Sequence, residues 1–345
     1  MPGEHERRTQ TTCLLIIATV AIATALYWLR PVMVPFMIAL FIWTVLTPLF
    51  YIQTQKLRFP HLLAVVVTIA IAFLFFSITG TILSKAVGNM TEKFSDYQGE
   101  INRLQESLID AMPLDRFGVD KENVDKSALL PPDTVRNTLL GLTNVVISLI
   151  SQGVLIMIFV LFMLIGTPAH PRPAKGFLGD ALKQITGFLM AKLWMSLLTG
   201  VLVWLSLHLC KVDFAIVFGV FAFLLNFIPN IGSIIASVLP IPIVLLDPDL
   251  SGNTVMQVIA IAVPGVVEFC VGNLLEPRVV GKSLGLHPIT ILLSLIFWGV
   301  LWGIQGMFLA MPITAIIKIL LEKMELTRPI AALLAGRIDQ SGLEN

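Results

Sequence analysis

The chain has 345 residues, of which 56% are hydrophobic and only 13% charged, and its mean hydropathy is +0.88. That is too apolar for one soluble core to hide, so lipid must cover the excess. A formal net charge of +1 offers nothing to a nucleic-acid partner, and the chain is expected to bind none. Charges crowd into the gaps between long apolar runs, as in a chain that crosses a membrane repeatedly.

The first run, residues 12–29, follows a basic N-terminal segment. It is too long for a secretory leader and no small-residue cleavage site precedes Arg30 and Pro31, so it is expected to stay as a membrane helix. Runs 32–55, 61–84 and 139–165 are likewise long enough to cross a bilayer, which takes about 20 helical residues. Between the third and fourth lies a polar insert, 85–138. Its apolar residues Val87, Met90, Phe94, Tyr97, Ile101, Leu104 and Leu108 step by three and four, the spacing of a heptad seam. Such a helix suits either self-association into a homo-oligomer or packing on its own molecule. Residues 166–184 are Pro-rich and then amphipathic, which places them at an interface.

Two further spans, 185–210 and 254–275, each carry one ionisable residue, Lys192 and Glu268. The runs 214–246 and 289–321 are each 33 residues long. As straight helices they would reach roughly 50 Å against a hydrocarbon core of about 30 Å. Pro229, Asn230 and Gly232 interrupt the first, and Gly299, Gly303, Gln305 and Gly306 the second, all poor residues for a helix interior. Each run therefore reads as a re-entrant helical hairpin with near-equal arms of about 13–15 residues, the first opening outward and the second inward.

Basic residues support that topology, because Lys and Arg of short loops collect on the cytoplasmic side. With both termini inside and both hairpins returning, Lys56, Arg58, Arg172, Lys175, Lys183, Arg278, Lys282 and Lys323 fall inside with the basic tails. Only Arg30 and Lys211 fall in short outside loops. The second arms, IGSIIASVLPIPIVLL and IQGMFLAMPITAIIKILL, suggest an inverted repeat, though two apolar stretches align this well by chance as readily. The expected fold class is an all-α polytopic membrane protein with about eight membrane segments. Residues 1–84 would hold helices 1–3, 85–138 the outer insert, 139–165 helix 4, 166–184 the linker, 185–321 the transport core and 322–345 a cytoplasmic tail.

Catalytic signatures fail. Gly281-Lys282-Ser283 lacks the glycine five residues earlier that a phosphate-binding loop needs, since Glu276 stands there. No H-E-x-x-H occurs, and Cys13, Cys210 and Cys270 have no metal-type spacing. The expectation is a non-enzyme without cofactor or metal. Polar chemistry collects instead at the helix breaks. Unwound backbone beside Asn226, Pro229 and Asn230 cannot stay unpaired in lipid. It must meet protein, water or a solute. Glu268 could pair with Lys192 or take up a coupling proton or cation. Lys192, eight residues into its span, is expected to extend toward the cytoplasmic surface, and Lys318 to anchor an interface. Glu276 and Arg278 could pair with each other.

Three segments in order, NFIPNIGSIIASVLP, GNLLEPRVVGKSLGLHP and SLIFWGVLWGIQGMFLAMPITAIIKIL, closely resemble the autoinducer-2 exporter family, also called PerM-type permeases, in its TqsA-like branch. They cover roughly residues 193–321, and VPFMIALFIWTVLTPL resembles the family in the first half. The resemblance implies a bacterial inner-membrane permease with cytoplasmic termini that exports autoinducer-2 in named members. Other relatives are monovalent cation/proton antiporters. Matching motif positions are Asn226, Pro229, Asn230 and Gly232, then Asn273, Glu276, Pro277, Arg278, Gly281, Gly285 and Pro288, then Gly303, Gly306 and Pro312. Glu268 departs from the Asn or His expected there. The expected solute path draws on Asn226, Pro229, Asn230, Gly232, Asn273, Glu276, Arg278, Gly303, Gln305 and Gly306, with Glu268 for coupling. The alternatives are a Na+/proton antiporter and an oligomeric scaffold that transports nothing.

Overall fold

The computed structural model describes residues 4–92, 152–169, 177–247, 250, 252–280, 285–323 and 327–336. Among these the structure is helical, without strands. In chain order the helices are α1 (Glu4–Trp28), α2 (Arg30–Tyr51), α3 (His61–Glu92), α4 (Gln152–Ile165), α5 (Phe177–Leu209), α6 (Ala215–Leu225), α7 (Ile231–Val238), α8 (Ile241–Leu246), α9 (Thr254–Phe269), α10 (Glu276–Val280), α11 (Pro288–Trp302), α12 (Ile304–Lys323) and α13 (Arg328–Leu334). Five stretches are long and apolar enough to cross a membrane: Arg30–Lys56, His61–Lys85, Leu182–Leu209, Thr254–Leu275 and Ile304–Lys323. The greater part of the 85–138 insert, and with it most of the Val87–Leu108 seam, lies outside the described residues. So do 139–151 of the fourth span, Gly281, and half of the C-terminal tail.

Two compact units emerge. The first comprises residues 1–69, 155–190 and 282–345, the second 70–154 and 191–281. In the first, α2, α3 and α4 share a core of Ala39, Phe50, Ala64, Val65, Ile156, Val160 and Leu164. Thr167, just past α4, ties them together: it accepts from Trp43 Nε1 at 2.8 Å, and its carbonyl lies 2.8 Å from His61 Nε2. α2 carries Pro31 in its first turn, where its missing N–H would have no helical partner anyway. It ends in a π-turn, Ile52–Lys56, where the Leu57 N–H donates to the Ile52 carbonyl five residues back.

Also in the first unit, α11 and α12 fold against each other. Trp298 Nε1 donates to Thr314 Oγ1 at 3.2 Å, a distance impossible along one helix, where sixteen residues span roughly 24 Å. The reversal sits at Gly303, with φ 68° and ψ −149°, a backbone region open essentially to glycine alone. A Cβ on Gly306 would overlap the Trp298 carbonyl, so glycine there sets how closely the two helices approach. The arms are unequal, 15 and 20 residues, not the near-equal pair expected. The second is long enough to cross a bilayer by itself, because the sharp stop falls at Gly303 and Pro312 is absorbed inside α12. Lys318 is buried, 9% exposed, and pairs with Glu322 at 2.9 Å. It is a packed residue, not the interface anchor expected.

In the second unit, α6 to α8 also return on themselves. The Asp213 N–H donates to the Asp247 carboxylate at 3.3 Å, so the two ends of the 214–246 run meet. Phe218 and Ala222 of α6 share a core with Ala236, Ile243 and Val244 of the returning arm and with Val203 and Leu207 of α5. α5 and α6 cross where Gly200 faces Gly219; a Cβ on either would press on the other's carbonyl. Small residues of this kind let membrane helices approach closely. The returning arm is itself broken at Leu239 and Pro240, between α7 and α8, a break unforeseen at Pro240.

Candidate functional site

Among the described residues of the second unit, a buried polar seam begins on α5. Lys192, Ser196 and Thr199 recur at four and three residues, so they line one helix face. They are 2%, 0% and 0% exposed. Below them the same face turns apolar with Val203 and Leu207. The hairpin tip meets this seam: Asn226, at the C-terminal end of α6, donates through Nδ2 to Ser196 Oγ at 3.0 Å. Both groups are excluded from water, so the bond satisfies donors and acceptors that would each cost about 1–3 kcal/mol if left unpaired.

Four residues on, the chain turns at Asn230, with φ 60° and ψ −52°. The Ile231 N–H donates to the Pro229 carbonyl at 2.6 Å. This is a γ-turn of the rare, strained hand. Asn tolerates positive φ better than most residues, and Asn230 is exposed at the tip. α7 then starts so close to α6 that a Cβ on Gly232 would overlap the Leu225 carbonyl.

α9 and the segment that continues it into α10 supply the acids. α9 starts on an Asn253 cap, whose Oδ1 accepts from the Met256 N–H at 3.1 Å. It ends in a π-turn, Cys270–Leu275, marked by the Glu276 N–H donating to the Val271 carbonyl five residues back. In an uninterrupted α-helix, residues eight apart point about 80° away from each other. The π-turn holds one residue more than the α-helical count, which cuts the angle between Glu268 and Glu276 to about 20°. The two carboxylates therefore share one face.

Lys192 faces both. Its Nζ lies 2.5 Å from Glu276 Oε1, and it acts on Glu268 through space. Lys192 thus does not extend to the surface, as its position eight residues into the span suggested; a carboxylate on the neighbouring helix holds it inside. Glu276 pairs with Lys192 and not with Arg278, which is exposed. Glu268 is 2% exposed, and neither carboxylate oxygen has a hydrogen-bond partner among the described residues. Ser233 of α7 is the polar side chain facing it from the hairpin. The Glu268–Lys192 pairing considered from sequence is accordingly an electrostatic neighbourhood without a direct bond.

Of the residues singled out from sequence, the second unit gathers Asn226, Pro229, Asn230, Gly232, Glu268, Asn273, Glu276 and Arg278. Asn273 and Arg278 are exposed. Gly303, Gln305 and Gly306 belong to the first unit, where Gly303 and Gly306 shape the α11–α12 reversal. Sequence reading passed over Ser196, Thr199 and Ser233. The first two carried a usable signal, the four-and-three spacing from Lys192; Ser233 carried none. Among the described residues, no three His, Cys, Asp or Glu side chains converge where a metal ion could sit.

Comparison with known proteins gives a consistent answer. The family model described as "AI-2E family transporter" matches residues 16–326. The chain is similar to the AI-2 transport protein TqsA of Escherichia coli (strain K12), 33% identical over 314 residues that cover 88% of this chain and 89% of the relative. A candidate transport protein of Haemophilus influenzae is 34% identical over 343 residues, covering 94% and 95%. YhhT, a candidate transport protein of E. coli (strain K12), is 31% identical over 323 residues, covering 90% and 89%.

Proposed function

This chain belongs to the AI-2E family of transporters, and on that premise we propose that it exports a small polar solute of the autoinducer-2 type across a bacterial inner membrane. It is a multi-pass membrane permease, and the solute is the part of the reading drawn from its TqsA relative. One observation supports a pathway within the second unit. In a chain that is 56% hydrophobic, the buried Lys192, Ser196, Asn226 and Glu268 meet at a broken helix. A single charge at the centre of a bilayer costs at least about 2.5–3.5 kcal/mol on insertion scales, so buried ionisable groups in spans mark functional paths more often than packing.

In this reading Asn226, Pro229, Asn230 and Gly232 form the solute-facing tip, and Asn273, Glu276 and Arg278 line the approach. Glu268 takes up the coupling charge, a proton or a monovalent cation. The α11–α12 hairpin, with Gly303, Gln305 and Gly306, is a second break with its own polar group. Both hairpins are re-entrant, both termini are cytoplasmic, and the permease works as a homo-oligomer in the lipid bilayer.

Two measurements test this. In a background lacking Cys13, Cys210 and Cys270, single thiols introduced at positions 251 and 283 are labelled with an impermeant maleimide. Reaction at 251 from outside only and at 283 from inside only is expected; the opposite sidedness refutes the hairpins. For function, a deletion strain should retain autoinducer-2 internally and lose the excess on complementation by this chain but not by its Asn226→Leu variant. Equal internal levels in all strains refute the export reading.

A further inference from the structure

The three buried or half-buried charges on the polar seam, Lys192, Glu268 and Glu276, do not balance. Lys192 and Glu276 neutralise each other, and Glu268 is left buried with two unpartnered oxygens. The polar or charged groups facing it are Lys192 from α5, Ser233 from α7 and Glu276 from the segment after the π-turn. None adds a net positive charge once Lys192 is paired. Glu268 therefore needs a compensating charge, or it must take Lys192 for itself.

The two acids differ in what they lose without the lysine. The Glu276 side chain is 20% exposed and can recruit water. Glu268, at 2%, cannot, and an unpaired ion there costs several kcal/mol. So when Glu268 is charged and unoccupied, the ammonium gains more by joining Glu268 than it loses by leaving Glu276. The π-turn sets the path of the transfer, because both carboxylates lie on the face that Lys192 meets, about two helical turns, roughly 11 Å, apart along the axis. α10 continues directly from that π-turn, and the Lys192–Glu276 pair attaches its first residue to α5.

We propose that Lys192 is an exchangeable counter-ion: it holds Glu276 while Glu268 carries a bound proton or monovalent cation, and it moves to Glu268 when that charge departs, releasing α10 with Glu276 and Arg278. Lys192 is then a positioning residue that converts occupancy of Glu268 into movement of the motif segment. The proposal rests on the reading of Glu268 as the coupling group.

The test uses the full chain in proteoliposomes, free of native cysteines, with Val279→Cys on α10 as reporter; Val279 is 53% exposed. Labelling by an impermeant maleimide is followed from acidic to alkaline pH without sodium, each rate divided by that of Glu268→Gln at the same pH, since the thiolate fraction itself changes. The normalised rate should rise about tenfold on alkalinisation, equivalent to 1.4 kcal/mol. Lys192→Gln should label fast at every pH. Should Lys192→Gln fail to fold, Glu268→Asp, which keeps the charge, should retain the response that Glu268→Gln lacks. Sodium that slows labelling at alkaline pH identifies the bound charge as a cation; no sodium effect identifies it as a proton. A flat profile in the parent, or the same profile in Glu268→Gln, overturns the exchange. Loss of solute export with the labelling response intact overturns the export reading and leaves the exchange standing.

Discussion

Replacing Gly232 by alanine adds one methyl group at the tightest point of the first hairpin. The new Cβ would overlap the carbonyl oxygen and carbon of Leu225 and touch Ile228 Cβ at 3.4 Å. The obstacle is backbone, so no side chain can swing aside. α7 must retreat from the end of α6 by roughly 1 Å, and a gap of that size forfeits about a quarter to a half of the dispersion energy of each contact it opens. Ala236, packed in the shared core about one helical turn further along the same arm, would lose contacts with α6. Overpacking of this kind costs about 1–3 kcal/mol. Gly265, inside α9, is the control: a Cβ there meets nothing within 4 Å, and alanine is favoured over glycine in a helix interior by about 0.5–1 kcal/mol. Thermal unfolding of the purified protein in detergent, read by a thiol-reactive dye at Cys210, should show Gly232→Ala melting below the parent and Gly265→Ala at or above it. A Gly232→Ala protein as stable as the parent would refute the close approach of α7 to α6.

Gly303→Ala should also destabilise, by about 1–3 kcal/mol, although open space surrounds its Cβ; the cost is conformational, and equal melting would mean the reversal does not need its unusual dihedrals. Lys192→Met should lower stability by about 3 kcal/mol, the low end for breaking a buried pair because Glu276 is partly solvated. The double variant Lys192→Met/Glu276→Met should recover most of that loss, and a double variant no better than the single one would count against a buried ion pair. Asn226→Ala strands the Ser196 hydroxyl at about 1–3 kcal/mol, whereas Asn226→Ala/Ser196→Ala should cost less than the sum of its singles. Additivity in that cycle would show that the two side chains do not interact.

Most membrane segments were legible because lipid imposes one demand on each, an uninterrupted apolar stretch of sufficient length. The interruptions at Pro229–Gly232 and Gly303 follow from residues that cannot continue a helix, whereas α5 starts at Phe177, inside the stretch read as a linker, because nothing there stops a helix. The partners of Lys192 were not legible. Distance along its span pointed to the surface, and only a neighbouring carboxylate, 84 positions away, keeps it inside. The unequal arms of α11 and α12 were missed for a related reason: Gly299 and Gly306 look like breaks in a list of propensities, yet they act as spacers that let one helix lie against the other.

What the amino-acid order determined by itself was class: a polytopic helical membrane protein with polar residues at two breaks and the three motifs of a transporter family. Apolar run length and helix-breaking residues are local properties, and local properties survive without knowledge of the fold. Which polar groups meet was decided by tertiary structure alone. The π-turn at Cys270–Leu275 rotates Glu276 onto the face of Glu268, and that rotation arises from one extra residue accommodated in a helix whose composition does not announce it. Packing of α5 and α7 against that face then leaves one lysine between two acids, because a buried charge has to find its partner across helices and not along them.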